Sequence, residues 1–220
     1  TAAMAGPAGR SSGHEPRCHV YAHGCGPESG LCDGATTEEL DELSIRTSAA
    51  FIVEEPNYSR LAARLLATVI DKEVRNQDIQ SFSQSIRFGN KAGIINDRTA
   101  EFVAANRRKL NDAIERDRDQ LFRYFGLRTV YDRYLLKNPA SRQVIETPQY
   151  FFMRVALVLS RSITEAIELY NMFASLTYLP SSPTLFNSGT RHQQLSSCFL
   201  LLFAFFSSSF LSNIQAARYL

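Results

Sequence analysis

Residues 180–201 read PSSPTLFNSGTRHQQLSSCFLL, and this stretch carries the strongest fold signal in the chain. Its two prolines predict extended backbone rather than helix in the first half. A polar turn at residues 187–194 leads into the apolar run 198–201, which predicts a buried strand with the Cys198 thiol at its start. By residue type alone, a single cysteine on an apolar strand is most simply an inert core residue, and a nucleophilic or redox thiol is the alternative.

Length and composition bound the class of protein. The 220 residues are 45% hydrophobic and 21% charged with a net charge of +2, which suits one globular domain or one domain with a fragment of a second. So small a positive charge does not indicate nucleic-acid binding. The longest apolar run, residues 199–206, has eight residues, against the roughly 18 that a membrane-spanning helix needs. We recognise no signal peptide, and four cysteines without a disulfide framework predict a reducing cytoplasm.

Residues 1–32 are rich in Gly, Pro, Ser and His, which predicts an irregular or disordered segment. A zinc site is the alternative, because three histidines are interleaved with three cysteines there. The cysteines lie seven residues apart, however, and no pair has the short spacing typical of zinc sites. We therefore expect a metal-free segment. The side chains in question are His14, Cys18, His19, His23, Cys25 and Cys32.

Residues 33–179 predict a helical region, because polar capping signals alternate there with apolar stripes. Thr36 and Glu39 form a capping box for a helix to about residue 54. The basic run 107–109 predicts a solvated face. About six helices followed by two strands indicate a mainly α chain that leads into a separate α/β unit. The further helices are predicted from Asn57, over about 79–92, from Asn96 or Asp97, from Thr147 with Pro148 at its first position, and from Ser162 with Glu165 to about 177.

The segment 182–201 closely resembles the active-site segment of the large (α) subunit of ribonucleotide reductase, where it begins a ten-stranded α/β barrel. YDRYLL at 131–136 and ETPQYFFMRVA at 146–156 resemble the helical N-terminal domain of that family. The resemblance implies a mainly α fragment: a helical domain followed by the first strands of a truncated barrel. Its parts are an irregular segment 1–32, the helical domain 33–179, the barrel start 180–201 and a divergent apolar tail 202–220.

The resemblance also implies a reaction, the reduction of ribonucleoside diphosphates to deoxyribonucleotides for DNA replication by thiyl-radical chemistry. Cys198 matches the first member of the reducing cysteine pair. Ser182 and Ser197, together with Cys198, match positions that contact the substrate, and hydroxyls suit its diphosphate or ribose. Without the resemblance, the Ser182 hydroxyl is simply a turn residue beside Pro183.

The partners implied by the resemblance are a radical-generating small subunit, thioredoxin or glutaredoxin as reductant, nucleotide effectors and a second large subunit. No cofactor is expected on this chain itself. The radical would come from the metal cofactor of the small subunit or, as the alternative, from adenosylcobalamin. The ATP-sensing domain usual at the N-terminus of the family is not recognisable here.

The chain departs from the family pattern after Leu201. Residues 202–210 read LFAFFSSSF where the family turns polar and acidic, which indicates a reading-frame change or a truncated gene model. The run 199–206 predicts an aggregation site. The 220 residues contain neither a second reducing cysteine nor a radical cysteine after Cys198, nor a C-terminal cysteine pair. We therefore expect this chain to be inactive alone, and a non-catalytic helical interaction module is the alternative from another class of protein.

Overall fold

The computed structural model describes residues 35–196, which form a helical unit without any strand. Two isolated antiparallel bridges join Ile95 to Thr190 and Lys137 to Val144. A 3-10 helix spans Arg116–Leu121 and a π-helix spans Val130–Tyr134. The α-helices of the described residues are α1 (Thr37–Ala50), α2 (Tyr58–Arg75), α3 (Phe82–Lys91), α4 (Asp97–Ala105), α5 (Arg107–Asp112), α6 (Tyr124–Thr129), α7 (Pro148–Leu159), α8 (Ile163–Ala174) and α9 (Ser182–Asn187).

Several helices begin where the local sequence predicts. The Thr36 hydroxyl accepts a hydrogen bond from the Glu39 N–H at 3.2 Å, and the Glu39 carboxylate accepts one from the Thr36 N–H at 2.9 Å, so the predicted capping box of α1 is confirmed. Thr147 caps α7, with proline at its first position. The Ser162 side chain caps α8. The Glu165 carboxylate does not complete a capping box with the Ser162 N–H, because it accepts from the N–H of Arg161, one residue before the cap. Short-range hydrogen bonds therefore decide these three helix starts.

Four helices differ from their predicted bounds. The first ends at Ala50 rather than near residue 54 and α8 ends at Ala174 rather than near residue 177, while two others differ because of local backbone geometry. Asp78 has a positive φ of 59° and ends the turn after α2, so α3 begins at Phe82 rather than near residue 79. The predicted fourth helix is divided at Asn106, whose φ of −116° is not helical, and α5 follows. Asn57 precedes α2 at the cap position but makes no capping hydrogen bond through its side chain.

The core is centred on α7. Ten of its twelve residues are buried, so this helix is covered on all sides by other elements. It packs against α8 and contacts the 3-10 helix and the π-helix, while α2 packs between α1 and α6. The Phe152 ring of α7 is stacked 6.0 Å from Phe122, the residue after the 3-10 helix, and lies 5.0 Å from Phe151, centroid to centroid.

The prediction of extended backbone at residues 180–190 is wrong, because residues 182–187 form α9. Pro183 lies in the first turn of α9, where its missing N–H removes no helical hydrogen bond and its fixed φ suits the helix. None of the residues 180–196 is in a strand, so the first of the two predicted barrel strands is absent from that range. The second predicted strand, at 198–201, lies outside the described residues, as do the predictions for residues 1–32 and 202–220.

The described helices include none that is both long and apolar enough to cross a membrane. The basic run at Arg107, Arg108 and Lys109 is solvent-exposed on α5, as its sequence predicts.

Candidate functional site

The turn after α9 is fixed to the loop between α3 and α4 by backbone hydrogen bonds. The Asn96 N–H donates to the Gly189 carbonyl at 3.0 Å, and the Arg191 N–H donates to the Ile94 carbonyl at 2.9 Å. The Asn96 side-chain amide donates to the Thr190 carbonyl at 3.1 Å. These contacts join segments almost a hundred residues apart, so the position of α9 depends on the helical unit as a whole.

Gly189 lets the backbone turn sharply at this junction. Its φ of +76° lies in the left-handed region that favours glycine. A Cβ at this position would also lie 3.4 Å from the Cγ of Arg154 and 3.5 Å from the methyl group of Thr99. The turn therefore packs closely against α7 and α4.

A buried ion pair supports the same turn from below. The Arg154 guanidinium donates to both carboxylate oxygens of Glu146, from Nε and Nη2, each at 2.9 Å. Its Nη1 donates to the Ser188 carbonyl, and the Glu146 carboxylate also accepts from the Leu136 N–H at 2.9 Å. Arg154 and Glu146 are 0% and 1% exposed as side chains, so this network connects α7, the segment after the π-helix and the end of α9 without contact with solvent.

The sequence reasoning did not assign Arg154 or Glu146. Both lie within ETPQYFFMRVA at 146–156, and a charged residue in so apolar a run was the available signal. A buried arginine requires a partner that satisfies its donors. The partner itself could not be read from the spacing, because the seven residues between them include the end of a loop and the first turns of α7.

The chain after the turn folds back along α9. The Thr184 hydroxyl donates to the Leu195 carbonyl at 2.9 Å, and the Asn187 amide donates to the Gln194 carbonyl at 2.9 Å. Leu195 is thus held beside the first turn of α9, and the sequence continues from there into Ser197 and Cys198. Those two predicted site residues lie outside the described residues.

Ser182, the third predicted site residue, is the first residue of α9 and is exposed to solvent. Its hydroxyl lies 3.1 Å from the Tyr134 hydroxyl, and either oxygen can be the donor. The Tyr134 ring is stacked between Phe151 and Phe186, at centroid distances of 6.1 and 5.7 Å. An accessible, oriented hydroxyl at this position can donate to or accept from a polar ligand.

Tyr134 was missed as a site residue, because the aromatics of that region were predicted only to pack between helices. It ends a π-helix, an uncommon element that is frequent at functional sites. The extra residue of such a turn changes the direction in which the side chains point, and periodicity in the sequence does not reveal it.

One carboxylate of the core has a perturbed protonation equilibrium. Burial raises the pKa of Asp119 from 3.8 to about 6, against the opposing effect of a hydrogen bond from the Gln149 amide at 2.8 Å. Gln149 in turn accepts from the Tyr170 hydroxyl at 2.9 Å, and that hydroxyl accepts from the Glu115 N–H at 3.0 Å. Asp119 therefore titrates near pH 6 at the contact of α7 and α8 with the 3-10 helix.

Within residues 35–196 there is no group of three or more His, Cys, Asp or Glu side chains that could hold a metal ion.

Comparison with known proteins places the helical unit in a family. Residues 120–193 match the family described as "Ribonucleotide reductase, all-alpha domain". The "Ribonucleoside-diphosphate reductase large subunit" of Caenorhabditis elegans is 40% identical over 179 residues, which cover 79% of this chain and 22% of that protein. The large subunits of Danio rerio and Arabidopsis thaliana are 38% and 37% identical over 78% and 79% of this chain, and 22% of each relative is covered.

The chain spans about a fifth of the length of these relatives. The family match begins in the 3-10 helix and ends in the loop after α9, so it includes α7, the buried ion pair and Ser182. The helical architecture of the described residues agrees with the all-alpha description of the matched domain. The chain is therefore a member of the ribonucleotide reductase large-subunit family, homologous to an N-terminal portion of that subunit.

Proposed function

We propose that this chain is the N-terminal portion of a ribonucleoside-diphosphate reductase large subunit and that the whole protein converts ribonucleoside diphosphates into deoxyribonucleotides. The observation that carries the proposal is the 40% identity over 179 residues to a large subunit of that name. The arrangement of α9 supports it, because an exposed hydroxyl at Ser182 lies at the start of the segment that leads to Cys198.

Cys198 is assigned the reducing role. A thiyl radical elsewhere in the barrel removes the 3′ hydrogen of the ribose and later returns it. Cys198 then donates a proton to the leaving 2′-hydroxyl, which departs as water. Cys198 and a second cysteine supply two electrons and the second thiol supplies the other proton, so C2′ gains a hydrogen in place of the hydroxyl and the two sulfurs join in a disulfide. Ser182 and Ser197 are assigned to the substrate, where their hydroxyls donate to the diphosphate or the ribose.

The remaining components are assigned to other molecules. A small subunit with a metal cofactor supplies the radical, and adenosylcobalamin is the alternative source. Thioredoxin or glutaredoxin reduces the disulfide, nucleotides act as effectors, two large subunits associate, and the reaction takes place in the cytoplasm. The 220-residue chain alone is expected to be inactive, because a single cysteine after the helical unit cannot form an intramolecular disulfide with a second barrel thiol.

A chimeric large subunit tests the assignment of Cys198. Residues 35–201 replace the matching segment of the Caenorhabditis elegans large subunit, and deoxyribonucleotide formation is measured with the small subunit of that organism and a dithiol reductant. We expect multiple turnover by the chimera and none by the 220-residue chain. Cys198→Ser should abolish turnover, because serine cannot form the disulfide, whereas Ser175→Ala, a change of an exposed residue just after α8, should leave it unchanged.

Two outcomes would contradict the proposal. Repeated turnover by the 220-residue chain would refute its inactivity, and full activity of the Cys198→Ser chimera would refute the reducing role. Activity that requires adenosylcobalamin instead of the small subunit would identify the alternative radical source. A folded chimera that is inactive with either radical source would favour the non-catalytic interaction module.

A further inference from the structure

A basic cleft lies between α3 and the α4–α5 pair, and Ser182 is not among the residues that line it. We call it the α3–α5 cleft; its volume is about 580 Å³ and its charged lining residues are Arg87, Arg107, Arg108 and Glu101. Three arginines and one carboxylate give it a net charge of +2. The cleft therefore attracts anions, and its size falls within the range of about 300–1,000 Å³ that is usual for small-molecule sites.

The guanidinium groups of the three arginines of the α3–α5 cleft have no ion pair and no hydrogen bond within the described residues. Some cations elsewhere on the surface are paired, such as Lys72 with Asp41 at 2.7 Å and Arg75 with Asp71 at 2.6 Å, and others are not, but in this cleft three unpaired arginines line one cavity. Because guanidinium groups carry five donors in a fixed fork, unpaired arginines facing one cleft can bind an oxyanion through several hydrogen bonds at once.

Hydrogen bonds between the walls hold the α3–α5 cleft in shape before any ligand binds. At one end, the Ser83 N–H donates to the Asn111 side-chain oxygen at 3.1 Å, and the Asn111 amide donates to the Ser83 hydroxyl at 3.1 Å. At the other end, the Asn90 amide donates to the Asp97 carboxylate at 2.7 Å and to the Ile95 carbonyl at 3.1 Å. A site with fixed walls loses less entropy when a ligand binds.

We propose that the α3–α5 cleft binds the phosphate chain of a small polyphosphate, and that Arg87, Arg107 and Arg108 donate hydrogen bonds to its oxygens. Phosphate oxygens match the bidentate geometry of guanidinium groups. None of the described residues that line the cleft is aromatic, so nothing there stacks on a nucleobase. Recognition through phosphate alone means that inorganic tripolyphosphate and ATP bind with similar affinity.

Isothermal titration of the 220-residue chain with inorganic tripolyphosphate, and separately with ATP, tests the proposal. We expect one saturable site for each, with dissociation constants that agree within about threefold and increase with salt concentration. The double variant Arg107→Gln/Arg108→Gln should weaken both at least about tenfold, because charge-assisted hydrogen bonds are lost.

The matched control is Arg60→Gln/Arg64→Gln, which removes the same charge from exposed arginines of α2 that also have no ion pair within the described residues. It should change affinity less than about twofold, and circular dichroism should show native helix content for both variants.

The absence of saturable binding, or an equal loss of affinity in the control, would overturn the proposal. So would a loss caused instead by Arg98→Gln/Arg161→Gln, since those arginines line a separate cleft of about 410 Å³ beside α4. ATP binding that is more than about tenfold tighter than tripolyphosphate binding would overturn recognition through phosphate alone.

Discussion

The arginines of this protein lie in two opposite environments. Arg154 is fully buried on α7, where its guanidinium is bonded to Glu146 and to the Ser188 carbonyl. Arg107 and Arg108 are exposed on α5 and have no charged partner within the described residues. The comparison separates an arginine that holds the backbone in place from arginines that remain available to bind a ligand.

The energetic reasons for the two environments differ. A buried ion pair adds little stability compared with an apolar core, but the loss of one partner leaves an uncompensated charge and costs about 3–5 kcal/mol. An exposed pair contributes only about 0–1 kcal/mol. The structure therefore loses little stability by leaving Arg107 and Arg108 unpaired, whereas Arg154 and Glu146 depend on each other.

The largest expected effect is that of Arg154→Met. We expect this change to lower the free energy of unfolding by about 3–5 kcal/mol, because the Glu146 carboxylate stays buried and the Ser188 carbonyl loses its donor. Urea unfolding of the 220-residue chain, followed by circular dichroism, measures the change. The added variant Glu146→Gln should recover part of the loss, since the uncompensated charge is then removed.

The control for Arg154→Met is Arg161→Met, an exposed arginine in the loop before α8. It should change the free energy of unfolding by less than about 0.5 kcal/mol. Equal effects of the two substitutions would show that the buried network does not hold the turn after α9, and the contrast between the two kinds of arginine would then be wrong.

Asp119 sharpens the comparison, because it is a partly buried charge whose closest hydrogen-bond partner is a neutral amide. Its pKa is raised from 3.8 to about 6, so between these values the folded state binds more protons than the unfolded state. Stability should therefore be highest below the unfolded pKa and fall by about 2–3 kcal/mol as pH rises from about 4 to about 6. Asp119→Asn should remove this part of the pH dependence.

The measurement is the free energy of unfolding in urea at pH 4, 5, 6 and 7 for the unchanged protein and for Asp119→Asn. The difference between the two proteins isolates Asp119 from the other carboxylates. Asp112→Asn, a change of an exposed aspartate at the end of α5, is the control and should preserve the pH dependence. A difference between unchanged protein and Asp119→Asn that does not vary with pH would rule out the raised pKa.

The sequence predicts what depends on neighbouring residues and misses what depends on distant ones. The caps at Thr36, Thr147 and Ser162 could be predicted because each is closed within three residues. Pro183 was misinterpreted because a proline is compatible with the first turn of a helix as well as with extended backbone, and the local sequence does not distinguish them. Arg154 was missed because its partners lie outside α7, one in the loop just before that helix and the other at the end of α9.

The candidate site divides in the same way. Ser182 was predicted through a motif, but its contact with Tyr134 spans 48 residues. That contact depends on a π-helix and on two phenylalanine rings that stack on the Tyr134 ring. No local pattern encodes such a contact. Motifs in the sequence therefore identify the hydroxyl that a ligand could use, while the structure adds the residue that orients it.

The smallest expected effect concerns that contact. Tyr134→Phe keeps the stacked ring but removes the hydroxyl that lies 3.1 Å from the Ser182 hydroxyl. Because the pair is exposed, water replaces the lost partner, and we expect each of Tyr134→Phe and Ser182→Ala to cost about 0.5 kcal/mol of unfolding free energy. A double-mutant cycle isolates the pair, since the second substitution should add almost nothing once the first has removed the bond.

Strictly additive effects would show that the two hydroxyls do not interact, and Ser182 would then have no orienting partner in Tyr134. The Thr177→Val change, which removes an exposed hydroxyl bonded only to its neighbour Ser175 at 2.8 Å, is the control and should add fully to Tyr134→Phe.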